Sequence, residues 1–169
     1  MAKRITDQPT VSPARDAAVD AICRATQGLP IRPAEIDGSA LEARDRALAE
    51  AIYRTTMQRW LTTNWVVDRF LAKPKIESML RAILAGAATQ LLFMDQPDHA
   101  VVDTAVEQAR RFVREGASKL TNAVLRRVAE IVVDRRTDGG WQPANNLIPW
   151  GGGAIQLSRQ ALLDRKSVV

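Results

Sequence analysis

The chain has 169 residues, a formal net charge of +5 and an apolar fraction of 46%, which suits one folded domain and excludes a disordered polyelectrolyte. It has no apolar run of about eighteen residues, so no membrane-spanning helix is expected. Its single cysteine, Cys23, excludes an internal disulfide and leaves no cysteine cluster for a metal.

Residues 1–11 read as a flexible tail. Their basic residues are followed by no apolar stretch, so no secretory signal is expected and the expected location is the cytoplasm. Ser12-Pro13 supplies a cap and a first-turn proline. Ala14, Ala18, Val19, Ile22 and Ala25 then recur at helical spacing until Gly28. Ser39-Ala-Leu-Glu42 has the form of a capping box that opens a second helix. Leu41, Leu48, Ile52, Met57, Trp60, Val67 and Leu71 continue that stripe with no Gly or Pro before Pro74. The pattern fits one long helix with a bend, or two helices joined near Thr62-Thr63-Asn64, where propensity is weak; the bent helix is the favoured expectation.

Pro74 is expected to open a helix through Leu80, Ile83, Leu84, Leu91 and Leu92. Only Arg81, Thr89 and Gln90 interrupt its apolar surface between residues 79 and 94, the mark of a central, buried helix. A helix from about Ala100 to Arg114 follows, with Gly116 separating it from another at about Ser118–Val133. No strand pattern is seen before residue 138. The tail of residues 138–169 is rich in Gly, Pro and Asn. Within it, residues 146–150 and 154–158 are either a short hairpin across Gly151-Gly152-Gly153 or part of an irregular linker.

No catalytic residue, metal-ligand set or cofactor-binding motif is expected. There is no phosphate-cradling loop and no dinucleotide fingerprint. His99 is the only histidine; it reads as a helix-entry residue rather than a base. Cys23 reads as a buried thiol. Glu42, Asp45 and Glu50 are spaced for an exposed helix face rather than for acid–base work.

The remaining chemistry is cationic. Residues 110–136 carry Arg110, Arg111, Arg114, Lys119, Arg126, Arg127, Arg135 and Arg136 against Glu115, Glu130 and Asp134. Lys119 lies just inside a helix start, where free backbone N–H groups also favour phosphate, and Lys3, Arg4 and Arg15 form a second basic cluster. Each is singly compatible with a solvated surface; together they suggest a surface that tracks phosphates. Phe112 and Trp60 fall at core-like positions, so no aromatic stacking platform is evident.

Four segments in order resemble one known family. Leu80-Arg-Ala-Ile-Leu-Ala-Gly-Ala-Ala-Thr-Gln-Leu-Leu-Phe-Met94 is similar to the central helix of NusB-type domains. Pro97-Asp-His-Ala-Val-Val-Asp-Thr-Ala-Val-Glu107 resembles their proline-led turn and next helix, and Lys119-Leu-Thr-Asn-Ala-Val-Leu-Arg-Arg127 their closing helix. Arg44-Asp-Arg-Ala-Leu-Ala49 resembles the start of their long third helix. The resemblance implies an all-α bundle of about seven helices in two subdomains over residues 12–137, with an irregular C-terminal tail.

The resemblance also implies RNA as partner, expected to be ribosomal, with a ribosomal protein as a further candidate partner. The contacts expected from the two basic clusters are Lys3, Arg4, Arg15, Lys119, Arg126 and Arg127. Asn122-Ala-Val-Leu-Arg-Arg127 and Gln90-Leu-Leu-Phe93 resemble the N-terminal domain of RsmB-type rRNA (cytosine-5) methyltransferases more than the free-standing antitermination factors. The alternatives are an antitermination factor, or a module that binds a ribosomal or transcription-complex protein. The methyltransferase's own S-adenosylmethionine loop and cysteine pair are absent from this sequence, so a non-catalytic RNA-binding domain is expected. One departure from the family pattern is Asp103-Thr104, where Asn-Glu is usual.

Overall fold

The computed structural model describes residues 11–28, 36, 40–135 and 144–163. The expected tail at 1–10, Lys3, Arg4, Ser39 and Arg136 lie outside them.

Helix α1 (Pro13–Thr26) begins as its sequence dictates: the Ser12 hydroxyl accepts the Arg15 N–H at 3.5 Å, and Pro13 needs no partner for the N–H it lacks. Ala14, Ala18, Val19, Ala21 and Ile22 face inward. The chain leaves the helix through Gly28, whose φ of +79° suits a residue without Cβ.

Two helices follow, α2 (Ala43–Gln58) and α3 (Trp60–Asp68), in place of the single bent helix expected. One residue, Arg59 (φ −108°, ψ 17°), separates them, three positions before the weak segment at Thr62. The hydrogen-bond ladder nearly survives the break: Arg59 N donates to Thr55 O at 3.0 Å, and Thr63 N donates to Arg59 O at 2.8 Å. The expected capping box does not set the start of α2. Glu42 is itself the extended N-cap residue and makes no side-chain capping bond.

Helix α4 (Ser78–Phe93) starts four residues after Pro74, because Glu77 is extended. Thirteen of its sixteen residues are buried, as its apolar girth requires. Each fully buried Leu or Ile in it contributes about 2 kcal/mol relative to an exposed one. Arg81, at its open end, reaches back to α3: its guanidinium donates to Asn64 Oδ1 at 3.1 Å, to Asp68 Oδ1 at 2.6 Å and to the Pro74 carbonyl. Thr63 and Thr89 meet through their hydroxyls at 3.3 Å inside the same contact.

Helices α5 (Asp98–Phe112) and α6 (Glu115–Glu130) form an antiparallel pair. Their break falls at Val113–Arg114, where Arg114 is fully extended, and not at Gly116 as expected. Gly116 is tolerated in the first turn of α6, since N–H groups there have no helical acceptor. The helices group in two sets about α4, with α1 and α2 on one flank, α5 and α6 on the other, and α3 against α4 and α6. Asp16 ties the flanks together: its carboxylate accepts Gln108 Nε2 at 2.9 Å and Arg111 at 3.0 Å to each oxygen.

A small sheet completes the structure. Strand β1 (Val132–Asp134) stands where helix was expected, since α6 ends at Glu130. Strands β2 (Leu147–Trp150) and β3 (Gly153–Leu157) pair as an antiparallel hairpin across Gly151 and Gly152, both at positive φ. Strand β3 is central, in the order β1-β3-β2. A short helix α7 (Arg159–Leu163) follows. Ile148, Ile155, Leu157 and Leu162 join the hydrophobic core of the helices, so these residues pack against the bundle.

Candidate nucleic-acid interface

The cations of residues 110–135 divide into two kinds. Arg110 pairs with Glu107 at 2.6 Å and Glu115 at 3.1 Å, Arg111 with Asp16 at 3.0 Å, Arg114 with Glu77, and Arg135 with Asp98 at 2.8 Å. These arginines are neutralised by structural partners; Glu115 and, more weakly, Glu107 raise the Arg110 pKa further.

Lys119 and Arg126 are different. Both are exposed on α6, and neither has a carboxylate partner among the described residues. Seven residues is nearly two helical turns, so both project from one face, about 10 Å apart along the axis. Asn122 lies between them on that face and accepts Arg126 Nε at 3.0 Å, which holds the guanidinium outward. Arg127 is exposed on the neighbouring face and only loosely paired, 3.5 Å from Glu130. The inward face of α6 carries Ala117, Thr121, Val124, Leu125 and Val128, and this burial is what fixes the outer face.

Arg15 occupies another place. It is half-buried between α1 and the end of α4, with Nε donating to Gln90 Oε1 at 2.7 Å and a terminal N–H to Gln96 Oε1 at 3.3 Å. Desolvation lowers its pKa from the ordinary arginine range. Among the described residues the Arg15 side chain bonds to Gln90 and Gln96 and not to the α6 cations, and Lys3 and Arg4 lie outside the described residues.

Asp103 points to solvent on α5, whereas Thr104 is fully buried, its hydroxyl donating to the Ala100 carbonyl at 2.8 Å. The departure from the family pattern is thus half surface and half core. His99 is exposed at the start of α5. Cys23 is buried in α1, and burial, with a smaller contribution from Asp20, raises its thiol pKa.

Two aromatic residues stand differently from expectation. Phe112 is no core residue: it is exposed at the end of α5, beneath the Arg111 guanidinium at 4.6 Å. Trp65, overlooked in the apolar stripe, is 42% exposed on α3, with Arg69 4.9 Å from its ring. Its position off the Trp60–Val67–Leu71 stripe was the available signal. Trp60 does pack partly buried against the core.

A buried central helix flanked by two helical sets, with an outer helix presenting unpaired cations, defines an all-helical domain with a cationic face. The NusB family model matches residues 12–130, and the chain belongs to that family. It is 34% identical to the transcription antitermination protein NusB of Gloeothece citriformis (strain PCC 7424), over 54% of this chain and 44% of that protein. It is 32% identical to the ribosomal RNA small subunit methyltransferase B of Xanthomonas campestris pv. campestris, over 59% of this chain and 24% of that protein. The chain therefore spans less than half the length of these curated relatives.

Among solved structures, it shares its fold with T. maritima NusB (TM-score 0.65, 22% identity, covering 74% of this chain and 93% of that one). It also shares it with a chain from a crystal structure of a plectonemic RNA supercoil (TM-score 0.63, 16% identity, covering 73% and 96%). No helix among the described residues is long and apolar enough to cross a membrane.

Proposed function

We propose that this chain is a non-catalytic RNA-binding domain whose principal contact is the outer face of α6. The observation that carries this reading is the contrast within one basic stretch. Arg110, Arg111, Arg114 and Arg135 are taken up by carboxylates, while Lys119 and Arg126 are aligned and have no carboxylate partner among the described residues. Two aligned cations on a rigid helix place phosphates without reading bases, so the domain positions RNA more than it selects sequence. Arg127 extends the face, and Lys3 and Arg4 are assigned to the same role from the sequence. Arg15 has two donors committed to Gln90 and Gln96, and it contributes through the N–H groups that remain.

Ribosomal RNA is the substrate class this reading favours. It is supported by Asn122-Ala-Val-Leu-Arg-Arg127, which resembles the methyltransferase branch, and by the similarity to a ribosomal RNA methyltransferase. The test is titration of a labelled small-subunit rRNA fragment with the wild-type chain and with the double variant Lys119→Glu/Arg126→Glu. Affinity is expected to fall by tenfold or more with unchanged circular dichroism. Equal affinity at low salt would overturn the assignment of this face.

A further inference from the structure

A cleft of about 720 Å³ opens between the end of α3 and the segment that runs from Ala144 to α7. Its size is within the range of small-ligand sites. Its walls are Trp65 and Arg69 on one side and Asn145, Asn146, Arg159 and Leu162 on the other. No carboxylate lines it among the described residues. Most of these wall residues come from the C-terminal segment, beyond the 12–130 stretch that matches the family, so the cleft exists only because that segment folds back.

The side chains are arranged rather than merely present. Asn146 is 5% exposed and uses both ends of its amide: Nδ2 donates to the Leu157 carbonyl at 3.0 Å, and Oδ1 accepts Arg159 Nε at 3.1 Å. The buried amide thus fixes Arg159 at the cleft through Nε, and its terminal N–H groups have no partner among the described residues. Across from it, Arg69 lies 4.9 Å from the Trp65 ring, which places a second guanidinium against the aromatic surface. Asn145 is exposed, and its amide has no partner among the described residues. The result is an exposed indole, two guanidinium groups and a free amide around one opening.

We infer that this cleft takes an unpaired nucleotide of single-stranded RNA, with the base stacked on Trp65 and the flanking phosphates held by Arg69 and Arg159. An aromatic platform with cations beside it is what stacking recognition of single strands requires. The free Asn145 amide supplies both a donor and an acceptor for a base edge. An acidic peptide would use the two arginines but would gain nothing from the exposed part of the indole. The inference rests on the RNA-binding reading, and it adds a stacking site apart from the phosphate contacts of α6.

The experiment is fluorescence anisotropy of a labelled single-stranded RNA oligonucleotide with the full chain and with Trp65→Ala, Trp65→Phe and Arg159→Ala. Trp65→Ala is expected to weaken binding about tenfold, the usual loss of one stacked base. Trp65→Phe should recover most of it, and Arg159→Ala should weaken it and lower its salt dependence. The Trp65→Ala loss should persist in the Lys119→Ala/Arg126→Ala background. Binding by the wild type that is indifferent to Trp65 and Arg159 would overturn the cleft while leaving the α6 reading intact. Absence of any RNA binding by the wild type would overturn both. If oligoglutamate bound as tightly as the RNA, with the same dependence on Trp65, the cleft would be a site for acidic peptide, and the inference would fail.

Discussion

The ring of Phe93, the last residue of α4, meets the ring of Trp150, the last residue of β2, with centroids 5.0 Å apart and planes inclined at 53°. The contact locks the C-terminal hairpin onto the C-terminal end of the central helix. The Arg59 guanidinium lies 5.4 Å from the first ring and 5.2 Å from the second, so the residue that breaks α2 from α3 is held by the same pair. Trp150→Ala removes both the ring contact and half of the arginine's seat. It is expected to lower the unfolding free energy by about 2 kcal/mol. A urea melt that shifts by less than about 0.5 kcal/mol would show that the hairpin docks without it.

Gly86 marks the close approach of α4 to α1. A Cβ built there would lie 3.2 Å from Ile22 Cδ1 and 3.8 Å from Val19 Cγ2. The nearest of these atoms is the far end of a flexible side chain, and alanine recovers up to about 1 kcal/mol of helix propensity. Gly86→Ala is therefore expected to stay within about 1 kcal/mol of wild type. Gly86→Leu has no space and is expected to cost about 3 kcal/mol. Thermal melts of the two variants decide the matter: equal stability would contradict the tight crossing.

The raised pKa of Cys23 predicts a pH dependence. In the unfolded chain the thiol ionises at about 8.5; in the folded chain it ionises higher. Between the two values the folded state binds more protons, so stability falls as pH rises. The contribution is intact below the unfolded value and is lost toward the folded one. Denaturation curves of wild type and Cys23→Ala, taken from pH 7 to 10, should converge or cross as pH rises. A constant difference would mean that the thiol titrates alike in both states.

The α6 face predicts a salt dependence. Each phosphate contact on single-stranded nucleic acid contributes about −0.7 to the slope of log affinity against log salt. Lys119→Ala/Arg126→Ala should therefore flatten that slope by about 1.4. Arg114→Ala, which removes an arginine already paired with Glu77, should leave it nearly unchanged. Equal flattening by the two variants would dissolve the distinction between paired and unpaired cations.

The helices were legible wherever one local signal dominated. Ser12-Pro13 starts α1, and the apolar girth of residues 79–94 makes α4 the centre of the bundle. Boundaries set by competing signals were not legible. The Ser39–Glu42 pattern and Pro74 each have the chemistry of a helix start, yet Glu42 and Glu77 are extended and the helices begin after them. Gly116 has the look of a breaker, but in a first turn it breaks nothing. Lys119, Arg126 and Arg127 could be listed from composition. Which of the basic residues are left unpaired could not, because the partners Asp16, Glu77 and Asp98 are distant in sequence.

By itself, the order of residues determined the helical class, the buried central helix and the family likeness. The first two depend on periodicity, which is written in neighbours three and four apart, and the third on the residues of four segments taken in order. The tertiary structure decided which arginines are neutralised, since Asp16 and Arg111 meet across 95 positions. It also decided that Val132–Asp134 would become a strand, because β3 lies beside it. And it brought Trp65 opposite Arg159, a juxtaposition made only by folding the last residues back onto the bundle.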